Sequence, residues 1–189
     1  MSTEPPERWW RAAYEDLRRV DEATYQAIAA TSTPTLDPWL RRLSRCADRS
    51  ALWVAIAAGL ATFGGAGGRR AARDGLVSVA ITSGVVNLGL KPLHRRRRPD
   101  DTLVRTIPGR SVRMPRSASF PSGHSASAFA FATAAGAQMP PLALPLRLLA
   151  TAVAYSRVHG GAHYPGDVVA GSAIGGATAA VVARTLRAR

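Results

Sequence analysis

Two residue types are almost missing from this chain. Of its 25 basic side chains only Lys91 is a lysine, and Cys46 is its single cysteine. A lone cysteine excludes an internal disulfide and offers no cysteine cluster for zinc. Acidic residues are scarce, 12 against 25 basic, for a formal net charge of +13. None of the usual carboxylate clusters of a metal-dependent hydrolase is present. Charge itself is missing from long stretches. Residues 50–68, 75–90, 125–139 and 168–183 carry none, and residues 142–155 carry only Arg147. The polar, acidic N-terminus lacks a short apolar core after a basic start, so no signal peptide is expected. No low-complexity linker divides the 189 residues, and one folded unit is the natural count.

What is there begins with those five apolar segments, each of roughly 14–19 residues against the ~20 of a membrane span. They are rich in Gly, Ala, Ser and Thr, which let membrane helices approach closely. The rival is a soluble bundle with Ala-rich helices, and a mean hydropathy of −0.02 suits it. The neutral, polar first quarter dilutes that mean, and segment count and composition favour the membrane. The expected fold is all-α, a membrane-embedded bundle of about five transmembrane helices. An N-terminal amphipathic region over 1–49 precedes the embedded domain of 50–189. In that region Trp9, Trp10, Tyr14, Leu17, Val20, Tyr25 and Ile28 recur at helical spacing with Arg and Glu between them. Aromatic residues beside arginines suit a helix at a membrane interface, the alternative being a cytosolic amphipathic helix. Pro34 and Pro38 break the pattern before a short helical piece at residues 40–43.

The positive charge is concentrated. Residues 1–49 hold 8 basic and 8 acidic side chains, whereas residues 91–120 hold 9 and 2. A local excess of this kind marks an anion site better than a general basic surface for nucleic acid. If all five segments span, residues 91–120 and 156–167 share one face. Residues 69–74, the 140s and the C-terminus then lie on the other.

Three stretches on the shared face carry chemistry. Lys91-Pro-Leu-His-Arg-Arg-Arg-Arg98-Pro99 offers Arg forks and one Lys point charge apt for phosphate oxygens. Its bland reading is a positive cluster that sets topology. Pro121-Ser122-Gly123-His124 opens the third apolar segment. Ser122 suits an N-cap, so the amides of Gly123 and His124 point from a helix start that favours anions. The third stretch, residues 156–167, holds Arg157, His163 and Asp167. A carboxylate four residues after a histidine can hold one ring nitrogen and leave the other as nucleophile or base. Taken singly, Asp167 would serve as an ordinary N-cap, Arg157 as an interfacial anchor and His163 as a loop histidine.

In order and without a gap, the three stretches resemble the type-2 phosphatidic acid phosphatase superfamily, which also includes vanadium-dependent haloperoxidases. Its pattern of K-x(6)-R-P, P-S-G-H and S-R-x(5)-H-x(3)-D reads here as Lys91…Arg98-Pro99, Pro121-Ser122-Gly123-His124 and Ser156-Arg157…His163…Asp167. The resemblance runs from about residue 50 to the C-terminus, with five apolar segments where many membrane members have six. It implies a membrane phosphatase acting on a lipid phosphate of the phosphatidate, phosphatidylglycerophosphate or polyprenyl (di)phosphate class. In that scheme His163 attacks phosphorus, Asp167 supports it, and His124 protonates the leaving group and then activates water. Lys91, Arg98, Ser122, Gly123 and Arg157 cradle the phosphoryl oxygens. No metal, other cofactor or nucleic-acid partner is implied, and membrane lipids are the surroundings. Arg95, Arg96 and Arg97 are not family positions; lipid headgroups, a second phosphate or simple anchoring would each account for them.

The alternatives are a phosphotransferase using the same residues, a vanadate-binding haloperoxidase, and a non-enzymatic basic membrane protein that needs no His124, His163 or Asp167. Haloperoxidases are generally larger and soluble, against the five apolar segments. An Arg- and Ala-heavy composition suggests a GC-rich bacterial genome and a multi-pass cell-membrane protein. Counting Arg and Lys places residues 91–120 in the cytoplasm. Arg184, Arg187 and Arg189 at the other face oppose that, and the resemblance favours an extracytoplasmic site.

Overall fold

The computed structural model describes residues 6–114 and 117–187, and every regular element among them is helical. Helices α1 (Pro6–Ala30) and α2 (Asp37–Cys46) form the N-terminal region. A 3₁₀ turn, Asp48–Ser50, leads into α3 (Ala51–Phe63). Helix α4 (Gly65–Gly84) runs through a π-helical turn, Val85–Leu90, into α5 (Lys91–Leu93). After the short α6 (Thr102–Thr106) come α7 (Gly123–Gln138), α8 (Pro140–His159) and α9 (Pro165–Arg187).

Helix α7 is the centre of the bundle, packed by α4, α8 and α9. It is made mostly of small and apolar residues, as a largely enclosed helix requires. Ala126, Ala128, Ala130 and Ala132 are completely buried. Exposed apolar side chains sit instead on the surrounding helices, with Val54, Phe63, Leu88, Leu144, Leu148, Val169 and Val181 facing outward. By length and composition Gly65–Leu93 and Pro165–Leu186 are each able to cross a membrane. The pair Asp37–Cys46 and Asp48–Phe63, bent by 58°, is a third candidate if taken as one span.

Glycine sets how closely these helices meet. A Cβ on Gly171 would lie 2.4 Å from the Ser122 carbonyl oxygen, and one on Gly175 would lie 2.1 Å from that of Ala126. This seam brings the start of α9 against the start of α7, and with them the second and third sequence motifs. The Ser122 amide completes the junction by donating to the Asp167 carbonyl at 3.0 Å.

Two expectations change. Residues 69–74 are not a loop; they lie within α4, and the chain turns at Gly64–Gly65, where Gly65 has φ 59°. Gly68 then lets α4 pass over α3, since a Cβ there would meet the Leu60 carbonyl oxygen at 2.1 Å. Asp74, buried within α4, accepts from Gln138 Nε2 at 2.6 Å and pairs with Arg73. Asp167 is not the cap of α9, which starts at Pro165; it sits in the first turn with its carboxylate turned inward. Of the three C-terminal arginines weighed for topology, Arg189 lies outside the described residues.

Candidate functional site

The described ends of α4–α5, α7, α8 and α9 converge at one end of the bundle, as a shared motif face requires. Between them and the α2–α3 junction lies a cavity of about 330 Å³. Of the eight residues singled out from sequence, Lys91, Arg98, Gly123, His124 and His163 line it. Asp167 stands behind His163, while Ser122 and Arg157 are buried in the surrounding shell.

His163 is almost completely buried in the turn between α8 and α9. Its Nδ1 lies 3.6 Å from Asp167 Oδ2, within ion-pair reach and longer than a hydrogen bond. Its Nε2 is 3.3 Å from an Arg98 terminal nitrogen. Burial pushes the imidazole down to about 4; Asp167 opposes this, and Arg98 and Arg157 add to it. His163 is therefore neutral at ordinary pH, the form a nucleophile needs.

Asp167 is held from three further directions. Its carboxylate accepts from the Tyr164 amide at 2.9 Å, from an Arg96 terminal nitrogen at 2.9 Å, and from the Ser119 hydroxyl. Arg96 also donates to Asp21 of α1 at 2.6 Å and lies over the Tyr164 ring at 4.3 Å. Burial alone would draw the Arg96 guanidinium down, but Asp21 and Asp167 more than reverse it. Of the three arginines outside the motif positions, Arg96 thus belongs to the support of the site. The amide of Gly166 closes the same tie by donating to Asp21 at 2.7 Å.

The cations are fixed without being neutralised. Arg98 donates to the carbonyls of Ala162 at 2.6 Å, Ser117 at 3.1 Å and Ala118 at 3.2 Å. Lys91 Nζ reaches the Ser117 hydroxyl at 3.4 Å. The π-helical turn carries Asn87 and hands on to Lys91, so that Ser83, Asn87 and Lys91 form one wall of the cavity. Such widened turns recur where a helix must aim side chains at a site. Arg157 donates to the Ser44 hydroxyl, but its Nε and second terminal nitrogen, both buried, have no partner among the described residues. Leaving buried guanidinium donors unpaired is costly, and an anion would satisfy them.

Ser122 caps α7 as expected, accepting from the Ser125 amide at 3.4 Å and the Ser125 hydroxyl at 3.0 Å. His124, in the first turn, has Nε2 2.9 Å from Asp48 Oδ1. Asp48 precedes Arg49 and Ser50, both left-handed at φ 53° and 62°. Consecutive left-handed non-glycine residues are strained, and they bend the α2–α3 junction into the cavity. Neither Asp48 nor Ser119 carries a sequence signal; each acts through a contact made only by the fold. His159, by contrast, faces away from the cavity, buried against Asp37 at 2.7 Å. Arg110 completes that brace by donating to Asp37 at 3.0 Å.

This arrangement places a neutral imidazole, a carboxylate behind it, a second histidine and cationic donors around one cavity. Comparison with known proteins points the same way. The family model for the PAP2 superfamily matches residues 74–189. A decaprenylphosphoryl-5-phosphoribose phosphatase of Mycobacterium tuberculosis is 32% identical over 156 residues, 82% of each chain. Among solved structures, a transmembrane PAP2-type phosphatidylglycerolphosphate phosphatase from Bacillus subtilis superposes with a TM-score of 0.69 at 24% identity, covering 91% of this chain and 87% of that one. LpxE of Aquifex aeolicus also gives 0.69, at 22% identity over 86% and 93%.

Proposed function

Because this chain belongs to the PAP2 superfamily, we propose that it is an integral-membrane phosphatase that removes phosphate from a lipid carrier through a phosphohistidine at His163. The observation that carries this reading is the pairing of a buried, neutral His163 with unpaired cationic donors around one cavity.

In the first step His163 Nε2 attacks phosphorus in line, forming a P–N bond as the P–O bond to the lipid alcohol breaks. His124, protonated and with Asp48 opposing the burial that pushes its imidazole down to about 4, delivers a proton to the departing oxygen. The positive charge that develops on His163 is met by Asp167, itself fixed by Arg96, Ser119 and the Tyr164 amide. Lys91, Arg98 and Arg157, with the Ser122–Gly123 helix start, take up the charge on the phosphoryl oxygens. In the second step His124 accepts a proton from water as the water oxygen attacks phosphorus and the P–N bond breaks, which restores neutral His163. An alcohol in place of water would make the same chain a phosphotransferase.

The identity to the mycobacterial relative makes a phosphosugar on a polyprenyl phosphate the first substrate to test. Phosphatidate, phosphatidylglycerophosphate and polyprenyl diphosphates complete the panel. The purified protein, assayed in chelator, should release phosphate from at least one of these, and vanadate should inhibit by resembling the trigonal-bipyramidal transition state. Loss of all turnover in chelator, restored by magnesium, would overturn the metal-independent scheme. We put the site on the extracytoplasmic side, as the family resemblance favours. Exposed Cys46, next to cavity-lining Ala47, should react with an impermeant thiol reagent in intact cells. Labelling only after lysis would put the site inside.

A further inference from the structure

A second and larger cavity, of about 590 Å³, lies between α1 and residues 93–97. It shares no lining residue with the catalytic cavity. Residues 94–100 between them form no regular element, with His94 at φ −116° and ψ 108°, and their four arginines divide by partner. Arg96 and Arg98 turn inward to Asp167 and to the His163 loop. Arg95 and Arg97 make no such contacts; both are exposed and both line the second cavity, beside Arg96. Neither has a hydrogen bond or ion pair with a described residue. The other cations there are engaged: Arg18 with Glu22 at 3.1 Å, and Arg96 with Asp21 and Asp167.

Apart from Glu22, which is paired with Arg18, the rest of the wall is made of rings and one aliphatic side chain: Tyr14, His94, Phe120, Tyr164 and Leu93. Phe120 packs on the His94 ring at 5.1 Å, and Leu93 is 76% exposed. Tyr14 lines the cavity and is itself exposed, as are Trp10 and Leu17 on the same helix. Free phosphate would use only the two arginines. A topology-setting cluster needs neither a cavity nor an apolar wall.

We propose that this cavity holds the headgroup of an anionic phospholipid of the surrounding bilayer, with its phosphate on Arg95 and Arg97. The first carbons of its chains would lie along Leu93, Phe120 and Tyr14. The bound lipid is a cofactor-like neighbour and not the substrate, and its binding does not depend on the catalytic scheme. It abuts the Arg96–Tyr164 stack, and so lies against the group that holds Asp167.

The test is native mass spectrometry of the full chain released from micelles holding phosphatidylglycerol or phosphatidylcholine. Wild type should retain one phosphatidylglycerol in preference to phosphatidylcholine. An Arg95→Gln/Arg97→Gln double variant should lose that preference by roughly tenfold, as expected for two lipid-contacting cations. An Arg69→Gln/Arg70→Gln control, equal in charge change on exposed residues at the start of α4, should keep it. Retained activity on a soluble phosphate ester shows that the double variant is folded; should it misfold, Tyr14→Ser gives the same reading through the apolar wall. Equal lipid retention by the two charge variants overturns the proposal. So does complete displacement of the lipid by millimolar inorganic phosphate, which would make the cavity a free-anion site. Because lipid retention is counted without turnover, failure here is distinguishable from failure of the phosphatase reading.

Discussion

Asp48 touches the histidine assigned to proton transfer, yet lies in none of the three motifs. As a positioning residue for His124 it should matter most where the leaving group needs a proton. Asp48→Asn is expected to lower turnover of an alkyl phosphate about tenfold or more, within the range of general-acid effects. An aryl phosphate, which leaves with little help, should suffer less in its phosphorylation step. Equal losses on both would mean that Asp48 only supports the fold. A second residue-level prediction concerns pH. His163 titrates near 6.5 in an unfolded chain and is pushed down to about 4 in the folded one. Between those values the unfolded state binds a proton that the folded state refuses, so acid favours unfolding. The contribution is whole above pH 6.5 and is lost as pH falls towards 4. In thermal melts, the stability of wild type relative to His163→Asn should be flat above pH 7 and decline below 6.5. A gap that widens with acid would contradict the buried neutral imidazole. At this scale the motif residues were legible because each has a fixed spacing in the sequence. Asp48, Ser119, Ser44 and the role of Arg96 were not, since their partners lie tens of residues away. His159 lies outside the three motif patterns, and burial and the Asp37 contact make it a brace between α8 and α2.

The elements repeat this division. Each of the five apolar segments lies largely within a helix, since apolar composition over that length leaves little else for a buried backbone to form. The first boundary was misplaced because Arg69, Arg70 and Arg73 look like a loop. The chain can turn only where a left-handed residue is allowed, at Gly65, and the arginines extend from the exposed first turns of α4. Gly-rich helices also announce close packing, although the particular partners appear only in the fold. Gly175 offers the sharpest case, with its virtual Cβ 2.1 Å from the Ala126 carbonyl oxygen. Gly175→Leu should force α9 from α7 and cost at least the ~1–3 kcal/mol typical of overpacking. Gly59→Ala, with nothing within 4 Å, should be neutral or slightly stabilising through helix propensity. Melting of both variants in detergent checks this; an undamaged Gly175→Leu would mean the α7–α9 seam is not tight.

Over the whole molecule, the N-terminal region and the embedded bundle meet at the site. Asp21, Ser44 and Asp48, all before residue 50, reach Arg96, Arg157 and His124 respectively. Sequence pattern alone made that region an amphipathic appendage, because amphipathicity reports which face is apolar and not which polar residue points inward. The three motifs, carried on separate helix ends, are drawn together by the α7–α9 seam and locked from behind by α1. The mechanism we propose makes one chemical claim above all others, a covalent phosphoenzyme on His163. The direct measurement is a rapid acid quench of His124→Ala turning over an isotopically labelled aryl phosphate, followed by mapping of the labelled residue. With His163 able to attack and no base to activate water, label should accumulate as phosphohistidine at residue 163. It should be absent from His163→Ala. Label on His159 or His94, or label persisting in His163→Ala, would contradict the account.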